Sequence, residues 1–206
     1  MPSLLYFDLG NVLLNFDHEI ACRQMAVTAG VPAELVREVV FNSDLQTSYE
    51  TGLISTAEYY ADFCRETTSQ PGLDALCQAA SDIFTPNQPV IDLLQQLQTQ
   101  GHPMGILSNT CAAHWEFISD GRFPFIETCF TVYALSFELR CMKPRPEIYA
   151  AAAQLAEVAP SDIFFIDDRE ENVTGAQTAG FEAVRFTTVD QLTIDLRDRG
   201  LLAEDT

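Results

Sequence analysis

The chain has almost no lysine: of its 11 basic residues ten are arginine, and Lys143 is the single exception. Positive charge is scarce as a whole, with 30 acidic residues giving a formal net charge of −19. Such a surface repels nucleic acid and anionic membranes, which excludes both as main partners. Long apolar runs are missing too, and none approaches the ~20 residues that span a bilayer. No basic stretch precedes the first apolar run, as a secretory signal would require. The six cysteines (Cys22, Cys64, Cys77, Cys111, Cys129 and Cys141) lack paired spacing, which argues against a disulfide framework or a zinc site. From these absences a cytoplasmic protein is expected, with a site for any anionic ligand that needs its own local positive charge; the sequence leaves its oligomeric state open between monomer and dimer.

What is present is an apolar fraction of 47% over 206 residues, enough to build one packed domain with an insertion. Leu4–Phe7 is a short apolar run of strand type that delivers one carboxylate, Asp8, to its carboxyl end before Gly10-Asn11 turns the chain. Met104–Leu107 is a second such run and stops at Ser108-Asn109-Thr110; Ile163–Ile166 is another and stops at Asp167-Asp168. Shorter strands are expected near 130–134 and 183–186, with a helix carrying Val90, Leu93, Leu94 and Leu97 and stopped by Gly101, helices over 112–119, 146–155 and 189–199, and one running from after Asp168 to Gly180. Strand–helix–strand alternation predicts a parallel α/β sheet of Rossmann type flanked by helices. Residues 17–85 break that alternation. Apolar residues recur there at three- and four-residue spacing over 19–29, 33–41 and 74–84, and Ser55-Thr56-Ala57-Glu58 is a capping box. This stretch is expected to form a small helical domain inserted into a core made of residues 1–16 and 86–206.

Parallel strands bring their carboxyl ends to one edge, where open α/β sheets bind ligands. Asp8, Ser108, Asn109, Asp167 and Asp168 therefore converge, and the Met142-Lys143-Pro144 segment can bring Lys143 to them. Adjacent carboxylates repel unless neutralised. Asp8 with one or both of Asp167 and Asp168, a backbone carbonyl and water suits Mg²⁺, which prefers oxygen ligands. Ser108 and Asn109 offer a hydroxyl and backbone N–H groups to phosphate oxygens, and Lys143 would add a cation to the same anion.

Phe7-Asp8-Leu9-Gly10-Asn11-Val12-Leu13, Leu107-Ser108-Asn109, Lys143-Pro144-Arg145-Pro146-Glu147-Ile148-Tyr149, and Phe165-Ile166-Asp167-Asp168 with Asn172 and Gly175 resemble, in order and spacing, the four motifs of the haloacid dehalogenase (HAD) superfamily. The helical stretch resembles the cap domain many members carry, and the Asp-Leu-Gly-Asn-Val form resembles small bacterial sugar-phosphate phosphatases such as α-glucose-1-phosphate phosphatase. The resemblance implies a Mg²⁺-dependent phosphatase of a small phosphorylated metabolite. In it Asp8 is the nucleophile forming an aspartyl phosphate, and Ser108 and the Asn109 backbone bind the phosphoryl group. Lys143 balances charge, while Asp8, the Gly10 carbonyl, Asp168 and Asp167 surround the metal. One departure stands out: family phosphatases place an acid/base Asp two residues after the nucleophile, and here that position is Gly10. Two alternatives stay open on that ground, a 2-haloacid dehalogenase using an arginine such as Arg23 or Arg37, and a phosphate-binding or regulatory protein with impaired catalysis. Asp17, His18, Tyr49, Tyr59 and Tyr60 in the helical stretch are candidates to face a substrate, with His114 and Trp115 beyond Ser108. The tyrosines and Trp115 read equally as packing residues.

Overall fold

A computed structural model describes residues 2–203. Its centre is β1 (Leu4–Phe7), every residue of which is buried. After a turn the chain forms β2 (Leu14–Asn15) and then five helices: α1 (His18–Ala29), α2 (Ala33–Val40), α3 (Leu45–Glu50), α4 (Thr56–Thr67) and α5 (Leu73–Ser81). It returns through β3 (Thr85–Pro86), then α6 (Gln88–Thr99), β4 (Met104–Ser108), α7 (Ala112–Ile118), α8 (Pro124–Cys129), β5 (Val132–Leu135) and α9 (Ser136–Leu139). The last part holds α10 (Pro146–Ala156), β6 (Ile163–Asp167), α11 (Glu170–Thr178), β7 (Glu182–Arg185) and α12 (Val189–Asp198).

Five strands form one sheet in the order β5-β4-β1-β6-β7, and every neighbouring pair is parallel. The chain builds outward from β1 through β4 to β5, then crosses to β6 on the other side. β1 therefore stands at the reversal of strand order, the position where such sheets open a crevice. The pleat explains why these strands are apolar throughout. Leu5, Phe7, Phe164 and Ile166 point into one core with α6, α8 and α12, while Leu4, Tyr6, Ile163 and Phe165 point into the other with α10 and α11.

None of α1–α5 enters this sheet. Their apolar faces make a third cluster of Cys22, Met25, Val36, Val40, Tyr49, Tyr59, Phe63 and Leu76, which extends onto Cys111 and Ala113 at the start of α7. The capping box at Ser55 and Glu58 is formed. The sequence did not reveal α3, α8 and α9, of six, six and four residues. One or two turns are too short to show a period. Also missed was the antiparallel ribbon in which Leu14 pairs with Pro86 and Asn15 with Thr85. Asn87 secures that crossing with its side chain on the Val12 carbonyl (2.9 Å) and its own N–H on that of Leu13 (2.9 Å). All six cysteines are free thiols, and among the described residues no helix is long and apolar enough to cross a membrane.

Candidate active site

β1 ends in Asp8 because its all-apolar run stops there, and the chain then curls so that the N–H groups of Leu13 and Leu14 reach the Leu9 carbonyl. Asp8 is buried, and Leu9 N–H donates to its Oδ1 at 2.7 Å. The Lys143 ammonium lies 2.9 Å from that same oxygen. Both contacts fall on Oδ1, so Oδ2 is the oxygen left to act on a ligand.

Lys143 is 4% exposed, a placement a lysine tolerates only when its charge is met. Its ammonium has three hydrogens and meets three acceptors: Asp8, Asp167 Oδ2 at 2.6 Å and the Leu107 carbonyl at 2.9 Å. Asn109 fixes the lysine's backbone from both sides, donating from Nδ2 to the Lys143 carbonyl (3.0 Å) and accepting from its N–H (2.9 Å). The Asn109 side chain is thereby engaged, while the buried Ser108 hydroxyl makes a long 3.4 Å contact to the Asn109 carbonyl.

Asp167 and Asp168 part company. Asp167 is fully buried, and both its oxygens are engaged by Asn172 Nδ2 (3.0 and 3.1 Å), with Arg169 N–H (2.9 Å) on one and Lys143 on the other. Asp168 is half-buried, and Asn11 Nδ2 reaches its Oδ2 at 3.2 Å. Carboxylate oxygens of Asp8, Asp167 and Asp168 lie within 4.8 Å of one another. Three carboxylates against one ammonium leave a local charge of −2, which matches one divalent cation. Burial pushes the Asp8 carboxyl up to about 7, and the charges of Asp167 and Asp168 add to that push against the pull of Lys143. Burial would lower the lysine, but Asp8 and Asp167 outweigh it and hold it above its ordinary range. Hard oxygen donors in this number fit Mg²⁺. The Gly10 carbonyl takes no part in the local bridge, which runs from Asn11 N–H to Leu14 O and from Leu14 N–H to Leu9 O.

A small cavity of about 50 Å³ lies beside the end of β1, lined by Leu9, Gly10, Ser108, Asn109 and Thr110 from the sheet side and by Phe16, His18, Glu50, Phe84 and His114 around them. At Gly10 an added Cβ would come 2.8 Å from the Phe16 ring, so an aromatic fills the space where an acid side chain would stand. His18 stacks on Phe41 with ring centroids 4.4 Å apart, and burial lowers its basicity. The other candidates from the helical stretch lie elsewhere. Asp17 caps α1 by accepting from Glu19 N–H. Tyr49 and Tyr59 stack within the helical core at 4.7 Å, and Tyr60 bonds the Pro71 carbonyl. Trp115 packs on Tyr133, Arg37 pairs with Glu19, and Arg23 lines an outer groove beside Gln24 and Val27. Sequence reasoning missed Phe16, Phe84 and Glu50.

Residues 3–180 match the profile of the haloacid dehalogenase-like hydrolases. The chain is 27% identical over 192 residues to a D-ribitol-5-phosphate phosphatase of Bacteroides thetaiotaomicron, covering 88% of this chain and 90% of that one. It superposes on a HAD-family enzyme of the same organism, solved with magnesium and inorganic phosphate, with a TM-score of 0.79 and 26% identity over 91% of this chain and 95% of that one. An L-2-haloacid dehalogenase of Xanthobacter autotrophicus shares the fold at a TM-score of 0.65 and 18% identity, over 99% and 85% of the two chains.

Proposed function

The chain belongs to the haloacid dehalogenase-like hydrolases, and on that premise we propose that it is a Mg²⁺-dependent phosphatase of a small phosphorylated metabolite, a sugar or polyol phosphate foremost. One observation carries this reading: a buried aspartate with one oxygen held and one free, ion-paired to the only lysine in the chain beside two further carboxylates.

The free Oδ2 of Asp8 attacks phosphorus as the bond to the leaving oxygen breaks, giving an aspartyl phosphate that water then hydrolyses. The Ser108 hydroxyl and the Asn109 main chain hold the phosphoryl oxygens, and Lys143 orients Asp8 and favours its ionised form. Asp8, Asp168 and the Gly10 carbonyl would hold Mg²⁺, while Asp167, with both oxygens engaged, serves the lysine and lies beside the metal. When bound, the ion supplies positive charge to the carboxylates and the phosphoryl oxygens. Dehalogenation needs no divalent cation, and neither Arg23 nor Arg37 lines the cavity. The helices of residues 17–85 act as a cap: a cavity this small admits a substrate larger than its phosphate group only when they lift, and their return excludes water.

The test is phosphate release from a panel of sugar, polyol and aryl phosphates, with Mg²⁺ and after chelation, beside halide release from chloroacetate derivatives. Mg²⁺-dependent release that vanishes in Asp8→Asn is expected. Full turnover without metal, or turnover by Asp8→Asn, would sink the assignment.

A further inference from the structure

Gly10 leaves the leaving oxygen without the side chain that would protonate it, and Phe16 closes that space. Glu50 lines the same cavity from the end of α3. Resting on the phosphatase reading above, we propose that Glu50 is the general acid and base of this site, contributed by the helical insert in place of the residue Gly10 lacks.

Its placement is built from several directions. The Glu50 carbonyl accepts from the buried Ser136 hydroxyl at 2.6 Å, and that oxygen in turn accepts from Thr110 N–H at 2.9 Å, two residues beyond Ser108. On one side, Tyr49 Oη accepts from Ala113 N–H at 3.0 Å. On the other, Gly52, at φ +69°, approaches so closely that a Cβ would lie 2.0 Å from the Phe137 carbonyl oxygen. The Glu50 side chain is steadied by Gln46 Nε2 at 2.8 Å. A carboxylate on the last residue of a helix also opposes the helix dipole, so the position is not one that helix stability selects.

The charged and titratable groups around Glu50 are Arg169 before α11, Tyr59 of α4, Cys111 at the cap of α7, His18 and His114. The two imidazoles are poor donors. Burial, with a smaller push from His18, takes His114 down to about 4 against a backbone bond to Ala80. Burial likewise lowers His18 against Asp17 and Glu19. Glu50 goes the other way, since burial raises its carboxyl against the pull of Gln46 and Arg169, so it keeps a proton to higher pH.

In the first step the Asp8 Oδ2–phosphorus bond forms, the phosphorus–leaving-oxygen bond breaks, and the Glu50 proton passes to the leaving oxygen. In the second, Glu50 carboxylate takes one proton from the attacking water, the new oxygen–phosphorus bond forms, and Asp8 departs as carboxylate. Inorganic phosphate leaves and Glu50 is protonated again.

Glu50→Gln and Glu50→Asp, assayed with Mg²⁺ on a polyol phosphate and on 4-nitrophenyl phosphate, test this. In Glu50→Gln, kcat/KM for the polyol ester should fall ~10²-fold or more, the typical worth of general acid catalysis. The nitrophenyl ester, whose leaving group needs no proton, should give a rapid burst of about one nitrophenolate per site followed by slow turnover. Glu50→Asp should recover part of the loss, and the basic limb of the wild-type kcat/KM profile on the polyol ester should be absent from Glu50→Gln. An equal fall on both esters without a burst, or no fall, overturns the proposal alone. A wild type that releases phosphate from no ester overturns the reading beneath it, and the proposal with it.

Discussion

Beside the cavity, at the ends of β1 and β6 and in the loop before α10, the sheet carries three carboxylates and an ammonium. The side contributed by residues 16–84 carries Phe16, Phe84, His18 and one carboxylate, Glu50. The first wall is over-determined: Lys143 has three acceptors for three hydrogens, and Asp167 has a partner for every oxygen. The second is mostly aromatic, and its polar groups are few and shifted toward neutrality by burial. The difference separates two tasks. Charge on a transferring phosphoryl group is the same for every ester, so one wall can be rigid and saturated. The leaving group differs from ester to ester, and on the proposed reading the wall that meets it is the sparse one, built by the helical stretch.

The contrast breaks hardest at Lys143. Lys143→Ala leaves Asp8 and Asp167 buried without their counter-charge, a loss of about 3–5 kcal/mol for one partner of a buried pair, readable by denaturant unfolding. Activity should fall ~10²–10³-fold, as for other fixed electrostatic groups. Lys143→Arg keeps the charge but offers a planar fork where three acceptors surround a point, so it should still lose at least ~10-fold. Wild-type rates in either variant would make the lysine a bystander.

The comparison can also be sharpened by moving an acid from one wall to the other. Gly10→Asp alone should be inhibited by the Phe16 ring 2.8 Å from the new Cβ. Gly10 does not have a positive φ, so the obstacle is that ring and not the backbone. In a Glu50→Gln background, Gly10→Asp with Phe16→Ala should flatten the dependence of rate on leaving-group pKa, gaining ~10-fold or more on alkyl esters over Glu50→Gln with Phe16→Ala. A slope unchanged by the added aspartate would show that the sheet side cannot take over the acid.

The smallest effect is one of pH. Asp8, pushed up to about 7, binds a proton in the folded protein that the unfolded chain has lost by about pH 4. Its contribution to stability is therefore full below pH ~4 and declines as pH rises toward 7. Mg²⁺ favours the ionised carboxylate, so its effect on Tm should grow from pH 5 to pH 8 by a few degrees, on the scale of about 2–4 °C per kcal/mol. Asp8→Asn should remove most of that growth, and a Mg²⁺ effect independent of pH would contradict the origin assigned to the shift.

The first wall was legible in the sequence and the second was not. Asp8, Ser108 and Asp167-Asp168 each end an apolar strand, and parallel pairing alone brings such ends together. Lys143 drew notice through its solitude. The Asn109 backbone was expected to serve a phosphate; that its side chain braces the lysine depends on a contact 34 residues away, which no local pattern shows. Glu50, Phe16 and Ser136 owe their roles to how the insert sits on the sheet, and no local pattern encodes docking. One signal for Glu50 was present: in Tyr49-Glu50-Thr51-Gly52 a carboxylate stands two residues before a glycine, where a chain is apt to turn.

The ribbon of Leu14–Asn15 with Thr85–Pro86 bears on how the chain folds. β1 must pair with β4, Leu5 opposite Met104, across a stretch of about a hundred residues, and the entropy of closing a loop rises with the logarithm of its length. If the insert condenses on its own apolar cluster first, its two ends arrive side by side. The central sheet then has only the few residues on either side of the ribbon left to close. On this account the segment that roofs the site also shortens the search for the sheet, and grafting a floppy linker in its place should slow refolding while leaving every strand contact intact.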